Sequence, residues 1–408
     1  MIEWKLVRVS DLGTVVTGNT PPRKNPEYYG NHTIFIKPTD ISEEQKYTYK
    51  PDECYSELGF RKYRNSLIPS GSTCVVTIGS IGKKITKAHC DCFINQAMNA
   101  VIPNENFDKE FVYYVLKYNL GQLKTLDSGT ASGRENVSKS SFSNLSLKVP
   151  NNKLVQTKIG NSLSAYDDLI ENNLRRIKLL EELAQRTYEE WFVKFRVNGE
   201  QLPIDESTGL PVGWQIQPFN TIVDVISGFP FKSGDYVESG EFKIVTIKNV
   251  QDGYFVSDTT DSVDSIPPKV KEDQKLKTND IILSLTGNVG RVCLVYGENY
   301  LLNQRVAKVQ ARDRKAHGFI YFLLRSRLML TALENLSNGA AQQNLSPINM
   351  GNMKLSIPNR SVMIDFGSFA NPIIEQIGKL NIQNSLLKQS RDILLPRLMN
   401  GSITVTPE

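Results

Sequence analysis

Residues 1–200 of this 408-residue chain, moved along by about 208 to 210 positions, fall onto residues 211–408. Trp4 lands on Trp214 and Gly18 on Gly228. Gly79-Ser80-Ile81-Gly82 lands on Gly287-Asn288-Val289-Gly290, Asn95-Gln96 on Asn303-Gln304, Phe111 on Phe319 and Pro150 on Pro358. Solenoids repeat every ~20–50 residues. A period this long predicts two similar globular modules, each large enough for its own core. A chain that carries one module twice is suited to a partner with two related faces, and duplex DNA is such a partner for a slightly basic protein.

Composition narrows little further. The formal charge of +5 is shared by many proteins without nucleic-acid partners, so arrangement has to carry the argument. Five cysteines (Cys54, Cys74, Cys90, Cys92, Cys293), odd in number and unrepeated between the halves, fit reduced thiols in the cytoplasm. The opening Met1-Ile2-Glu3-Trp4-Lys5 lacks the pattern of a secretion signal, and no segment approaches the ~20 apolar residues of a membrane helix, so neither secretion nor a membrane is expected.

Each half reads in the same order. Strand-like runs (33–37; 242–248) precede a β-rich stretch (72–78; 280–285) that enters the Gly-x-x-Gly turn. A short helix follows, with Phe111, Tyr114, Val115 and Tyr118 echoed by Phe319, Phe322, Leu323 and Leu328. A polar loop then leads to a strand that ends in proline (145–150; 353–358). Strands, turns and one helix per half predict an α+β module. Residues 156–195 contain no proline and one glycine, Gly160. A seam at 3-4 spacing runs through Leu163, Tyr166, Ile170, Ile177 and Leu180, and again through Ile373, Ile377, Leu380, Leu387 and Leu394. Asn173 and Asn384 interrupt it, as register-fixing polar residues do in coiled coils. Two amphipathic helices packed separately on their own modules share much of this pattern. The Gly- and Pro-containing stretch 197–214 marks the boundary between the halves. If the chain reverses there, the two helices run antiparallel. A helix of about 35 residues spans roughly 50 Å, or about 15 base pairs of duplex.

The binding candidates cluster in the turns and loops. Gly79-x-x-Gly82 is followed by Lys83 and Lys84, and Gly287-x-x-Gly290 by Arg291. Glycine permits close backbone approach, and a basic residue just after it can meet a phosphate; a plain β-turn is the plainer explanation. Ser80 and Asn288 lie inside these turns. A Walker loop is excluded, because position 77 is Thr77 rather than glycine. The polar loops 128–138 and 337–346 align at Gly129 with Gly339 and Asn136 with Asn344 but differ in content. Ser132, Arg134 and Asn136 in one, and Gln342, Gln343 and Asn344 in the other, are side chains of the kind that read base edges. Arg23, Lys24, Lys37, Lys232 and Lys248 could neutralise phosphates or stand as solvated surface charges. Gln96, Gln304 and Arg305 follow or belong to the Asn-Gln pairs at the start of a strand, where structural hydrogen bonding is as good a reading as base contact.

Catalytic and metal signals are missing. The three histidines do not repeat, and His89-Cys90-Asp91-Cys92 has no second ligand pair at zinc spacing. Asn25-Pro26-Glu27-Tyr28 departs at its third position from the Asn-Pro-Pro-Tyr motif of an adenine methyltransferase.

In this order of parts the chain resembles the specificity (S) subunit of type I restriction–modification systems. The likeness covers essentially the whole chain. It rests on the repeat, the opening stretches 4–21 and 214–231, the Asn-Gln pairs, the Thr208-Gly209-Leu210-Pro211-Val212-Gly213-Trp214 junction and the two long helices. The resemblance implies two target recognition domains in a pseudo-two-fold arrangement, separated by two long antiparallel coiled-coil helices. On this sequence they fall at 1–150 and 201–358 (with 201–213 a linker), and the helical parts at 151–200 and 359–408. Each domain would read half of a bipartite duplex DNA target. The helices would set the spacer and dock two methyltransferase (M) subunits, and restriction (R) subunits would join some complexes. S-adenosylmethionine, ATP and Mg would sit on those partners, leaving this chain with no cofactor and no turnover. A stand-alone DNA-binding regulator is the competing reading.

Overall fold

The computed structural model describes residues 2–127, 135–337 and 344–406, apart from the side chain of Ser233. By its contacts the chain forms two compact units, Met1–Asn172 with Asn384–Glu408, and Asn173–Gln383. Each helix of the long pair, Lys153–Phe192 and Arg360–Met399, contributes one portion to each unit.

In the first unit an antiparallel sheet runs in the order Gly13–Thr17, Met98–Pro103, Thr73–Val76, Ile85–Lys87. The second unit repeats that order with Val223–Ser227, Val306–Ala311, Ile281–Ser284 and Val292–Leu294. The strands Thr73–Val76 and Ile281–Ser284 are buried at every residue, as β-branched and apolar runs at the middle of a covered sheet should be. Both units also pair two strands in parallel, Thr33–Ile36 with Phe93–Ile94 and Phe242–Val245 with Tyr300–Leu302. The neighbours of those pairs differ. Glu53–Tyr55 flanks the pair in the first unit, whereas Ser262–Val263 and Lys275–Leu276 flank it in the second. Helices accompany the sheets, so the fold is α+β with one module used twice.

The helix Lys109–Tyr118 starts where Asp108 accepts hydrogen bonds from the amides of Glu110 and Phe111 at 2.9 Å, and it buries every residue from Phe111 to Leu116. Its counterpart is His317–Leu324, and in both units a second helical stretch follows, the 3-10 helix Leu120–Leu126 in the first and the longer α-helix Arg327–Ser337 in the second. Ser326 caps that longer helix, its hydroxyl accepting from the Met329 amide at 3.3 Å.

Within each unit the long-helix segments run antiparallel. In the first, Val155, Ile159 and Leu163 share a core with Leu395, Leu398 and Met399, and Asp167 pairs with Arg391. In the second, Tyr188, Trp191 and Phe192 surround Phe366, with ring centroids 5.9, 5.8 and 5.3 Å away. Of the seam, Leu163, Ile170, Ile373, Ile377 and Leu380 are buried, while Tyr166, Ile177, Leu180, Leu387 and Leu394 are half-buried. The apolar stripe is broader than a two-helix seam, because each helix also covers its own module. Asn173 is fully buried and donates to Gln383 Oε1 at 3.1 Å; Asn384 is buried as well.

Two glycines let these helices approach the modules. A methyl at Gly160 would sit 2.7 Å from the Phe111 nitrogen, and one at Gly367 only 1.8 Å from the Lys315 carbonyl oxygen. They stand 207 positions apart, so the same close crossing is built twice. Charged groups pin the contact further. In the first unit Lys46 is buried, with Nζ 2.6 Å from Ser164 Oγ and 2.7 Å from Glu110 Oε2. Burial pulls the Lys46 pKa down, but Glu110 outweighs it and the net shift is upward. In the second, Arg325 reaches Glu181 at 3.0 Å and the Tyr321 hydroxyl at 2.8 Å. Burial raises the Glu181 carboxyl against the pull of Arg325.

Candidate nucleic-acid interface

The candidate segments of each half, scattered over more than a hundred positions, meet at one edge of their unit. In the first, the Thr77 and Ile78 amides donate to the Ala97 carbonyl at 2.9 and 3.2 Å. Gly79 N–H donates to the Glu135 carbonyl at 3.0 Å, and Val137 N–H to the Thr77 carbonyl at 2.8 Å. Asn19 N–H donates to the Ile94 carbonyl at 2.9 Å, which brings in the chain leading to Arg23 and Lys24. The second unit has the same plan. The Leu285 amide donates to the Arg305 carbonyl at 2.9 Å, Leu345 to Leu285 at 2.8 Å, Phe229 to Leu302 at 2.8 Å and Gln304 to Phe229 at 3.1 Å.

The Gly-x-x-Gly turns need their glycines. Gly79 and Gly82 have φ of +88° and +73°, Gly287 and Gly290 +75° and +82°, the left-handed region that side chains disfavour. Space is open around Gly79, where an added methyl would meet nothing within 4 Å.

The Asn-Gln pairs divide their labour. Asn95 Oδ1 accepts from the Ala97 amide at 2.8 Å and Asn95 Nδ2 donates to Thr20 Oγ1 at 2.9 Å, so it holds the turn between Phe93–Ile94 and Met98–Pro103. Asn303 Oδ1 likewise accepts from the Arg305 amide at 3.1 Å. Gln96, Gln304 and Arg305 are exposed beside them, and Thr20 donates to Gln96 Oε1. Beneath, buried Asn99 links Thr17 at 2.6 Å to Thr77 at 2.8 Å.

The basic candidates fall into two groups. Lys24, Lys83, Lys232 and Lys248 are exposed, as are Ser80, Asn288 and Asn344. Arg23, Lys37 and Lys84 are engaged by the protein itself. Arg23 forks onto Glu53 at 2.5 and 3.0 Å, with its guanidinium 4.8 Å from the Tyr29 ring centre. Lys37 Nζ lies 3.2 Å from the same carboxylate, and Lys84 Nζ donates to the Pro38 carbonyl at 2.8 Å. The hydrogen bond from Arg23, with help from Lys37, holds the Glu53 carboxyl below the ordinary carboxylate range. Asn136 is half-buried and its amide donates to Asp127 Oδ1 at 2.7 Å. Ser132, Arg134, Gln342 and Gln343 lie outside the described residues.

Three contributors were not singled out from the sequence. Glu53 and Tyr29 organise Arg23, and Gln251 takes a hydrogen bond from Arg291. Their partners are 30, 6 and 40 positions away with no repeated spacing, so no local pattern announces them. Among the described residues no group of three or more His, Cys, Asp or Glu is placed to hold a metal ion, and no helix is long and apolar enough to cross a membrane.

The sequence model of a family described as the type I restriction modification DNA specificity domain matches residues 1–182 and again 211–362. The chain belongs to this family. It carries the DNA specificity domain twice, and the family is the non-catalytic DNA-recognition subunit of type I restriction–modification systems. The MjaIX specificity subunit of Methanocaldococcus jannaschii is 26% identical over 414 residues, covering 99% of this chain and 94% of that protein. The HindI specificity subunit of Haemophilus influenzae is 24% identical over 323 residues, covering 64% and 70%. In fold, the chain is similar to the type I S subunit structure from M. genitalium, with a TM-score of 0.60 at 18% identity over 99% of this chain and 97% of that one.

Proposed function

We propose that each unit reads one half of a bipartite duplex DNA sequence through the edge where its Gly-x-x-Gly turn, Asn-Gln turn and polar loop meet. The observation that carries this is a hydrogen-bonded framework recurring in both units with different side chains on its glycine turn: Ser80 and Lys83 on one, Asn288 and Arg291 on the other. One scaffold with two chemistries suits one duplex read at two sites. Exposed Lys24, Lys83, Lys232 and Lys248 neutralise phosphates, whereas Gln96, Gln304, Arg305 and the loops around Asn136 and Asn344 meet base edges.

In this reading residues 1–150 and 201–358 are the recognition domains, and the long helices fix the spacer between half-sites and dock two methyltransferase subunits. Those partners hold S-adenosylmethionine, restriction subunits bring ATP and Mg chemistry, and the complex works in the cytoplasm. Replacing residues 1–150 by those of a relative, then mapping methylated adenines in a host carrying the partner genes, should change one half-site and leave the other intact. A change in both halves together would refute independent reading.

A further inference from the structure

We infer that Arg291 reads a guanine in the half-site met by the second unit, and that Gln251 is the positioning residue that aims it. The inference rests on the proposed bipartite reading and deepens it.

Arg291 follows directly on Gly290, so the left-handed turn fixes where its side chain starts. Its Nη1 donates to Gln251 Oε1. That oxygen is not interchangeable with the amide nitrogen, because Gln251 Nε2 donates to the Lys248 carbonyl at 3.0 Å. Lys248 is itself set by buried Asn249, whose Oδ1 accepts from the Thr246 amide at 2.9 Å and whose Nδ2 donates to the carbonyls of Val256 at 2.9 Å and Asp258 at 3.1 Å. On the other side Asn288, in the amide orientation that satisfies its neighbours, accepts from Arg291 Nη2 at 3.1 Å and Nη1 at 3.2 Å.

The donor count decides what is left. A guanidinium has five N–H groups in a fixed plane. Gln251 takes one from Nη1, and Asn288 straddles the edge between Nη1 and Nη2. The Nε–H and the outer Nη2–H, which point the same way, have no protein partner among the described residues. Two parallel N–H groups match the O6 and N7 acceptors of guanine in the major groove. The equivalent position in the first unit is Lys83, an exposed point charge without a planar fork. At this turn position, guanine readout therefore falls to the second unit.

The test uses the complete chain assembled with its methyltransferase partners, offered a pool of duplexes randomised at every target position, with the methylated products sequenced. Arg291→Lys should cut discrimination at one G·C pair of a single half-site by about ten- to a hundredfold. Gln251→Ala should weaken preference several-fold at the same pair, with every other position unmoved. Uniform weakening with a flatter salt dependence would make Arg291 a phosphate contact and overturn the assignment, as would unchanged selectivity. Loss of preference at that pair for Arg291→Lys but not Gln251→Ala would overturn the positioning role. A wild-type complex with no two-part target would sink the parent reading instead, so the two failures are distinguishable.

Discussion

Replacing Asp167 with alanine removes one partner of the most deeply buried ion pair in the first unit. Asp167 and Arg391 side chains are 2% and 5% exposed, and the Tyr114 hydroxyl also donates to Asp167. Breaking such a pair costs about 3–5 kcal/mol, because the remaining charge stays buried without its counter-ion. Tyr114 loses its acceptor as well, which adds about 1 kcal/mol. Asp392, 2.8 Å from Arg391 but 57% exposed, offsets part of this as a solvent-screened partner. A net loss of about 4 kcal/mol lowers the melting temperature of a unit of roughly 200 residues by about 8–16 °C. Calorimetry of the full chain should show that shift in the transition of the first unit alone. Pairing Asp167→Leu with Arg391→Met should recover most of the loss, since an apolar replacement of a buried pair is often neutral or better. A single-variant loss below about 1 kcal/mol would refute the reasoning, because the pair would then behave as a hydrated surface contact.

Gly367→Ala sets helix propensity against a clash: alanine gains about 1 kcal/mol over glycine in a helix, but its methyl would lie 1.8 Å from the Lys315 carbonyl oxygen. The clash should win by about 2 kcal/mol, visible as a lower denaturant midpoint; a higher midpoint would contradict the close crossing. Burial pushes the Lys117 ammonium down to about 8. The sign follows from proton counts: between pH 8 and about 10.4 the unfolded chain holds this proton more tightly than the folded one, so stability rises with pH across that window. Lys117→Met should flatten that rise relative to wild type in pH-resolved unfolding curves, and an identical slope in both proteins would argue against a buried ammonium.

How legible was this in the sequence? The repeat, the Gly-x-x-Gly turns and the long helices were, because each is written in local spacing or in self-similarity at one fixed offset. Each half was expected to carry one short helix and instead carries two helical stretches, the second of them a longer helix capped by Ser326 in the second half. The pairs that shape the candidate edge were not legible. Arg23 looked like a free phosphate ligand on the same footing as Lys24, yet the fold brings Glu53 and Tyr29 to it. Arg391 sat in a run of seam residues and found Asp167 at a separation of 224 positions. Such partners are chosen by topology, and topology is what a window of neighbouring residues does not contain.

Asn95 and Asn303 have a consequence for how such a protein can change its vocabulary. Because each asparagine holds the bend with its own amide, the glutamine next to it is relieved of any duty to the backbone. On the proposed reading, new letters can be tried at Gln96 or Gln304 while the frame that presents them stays intact, much as type is exchanged in a press without recasting the bed.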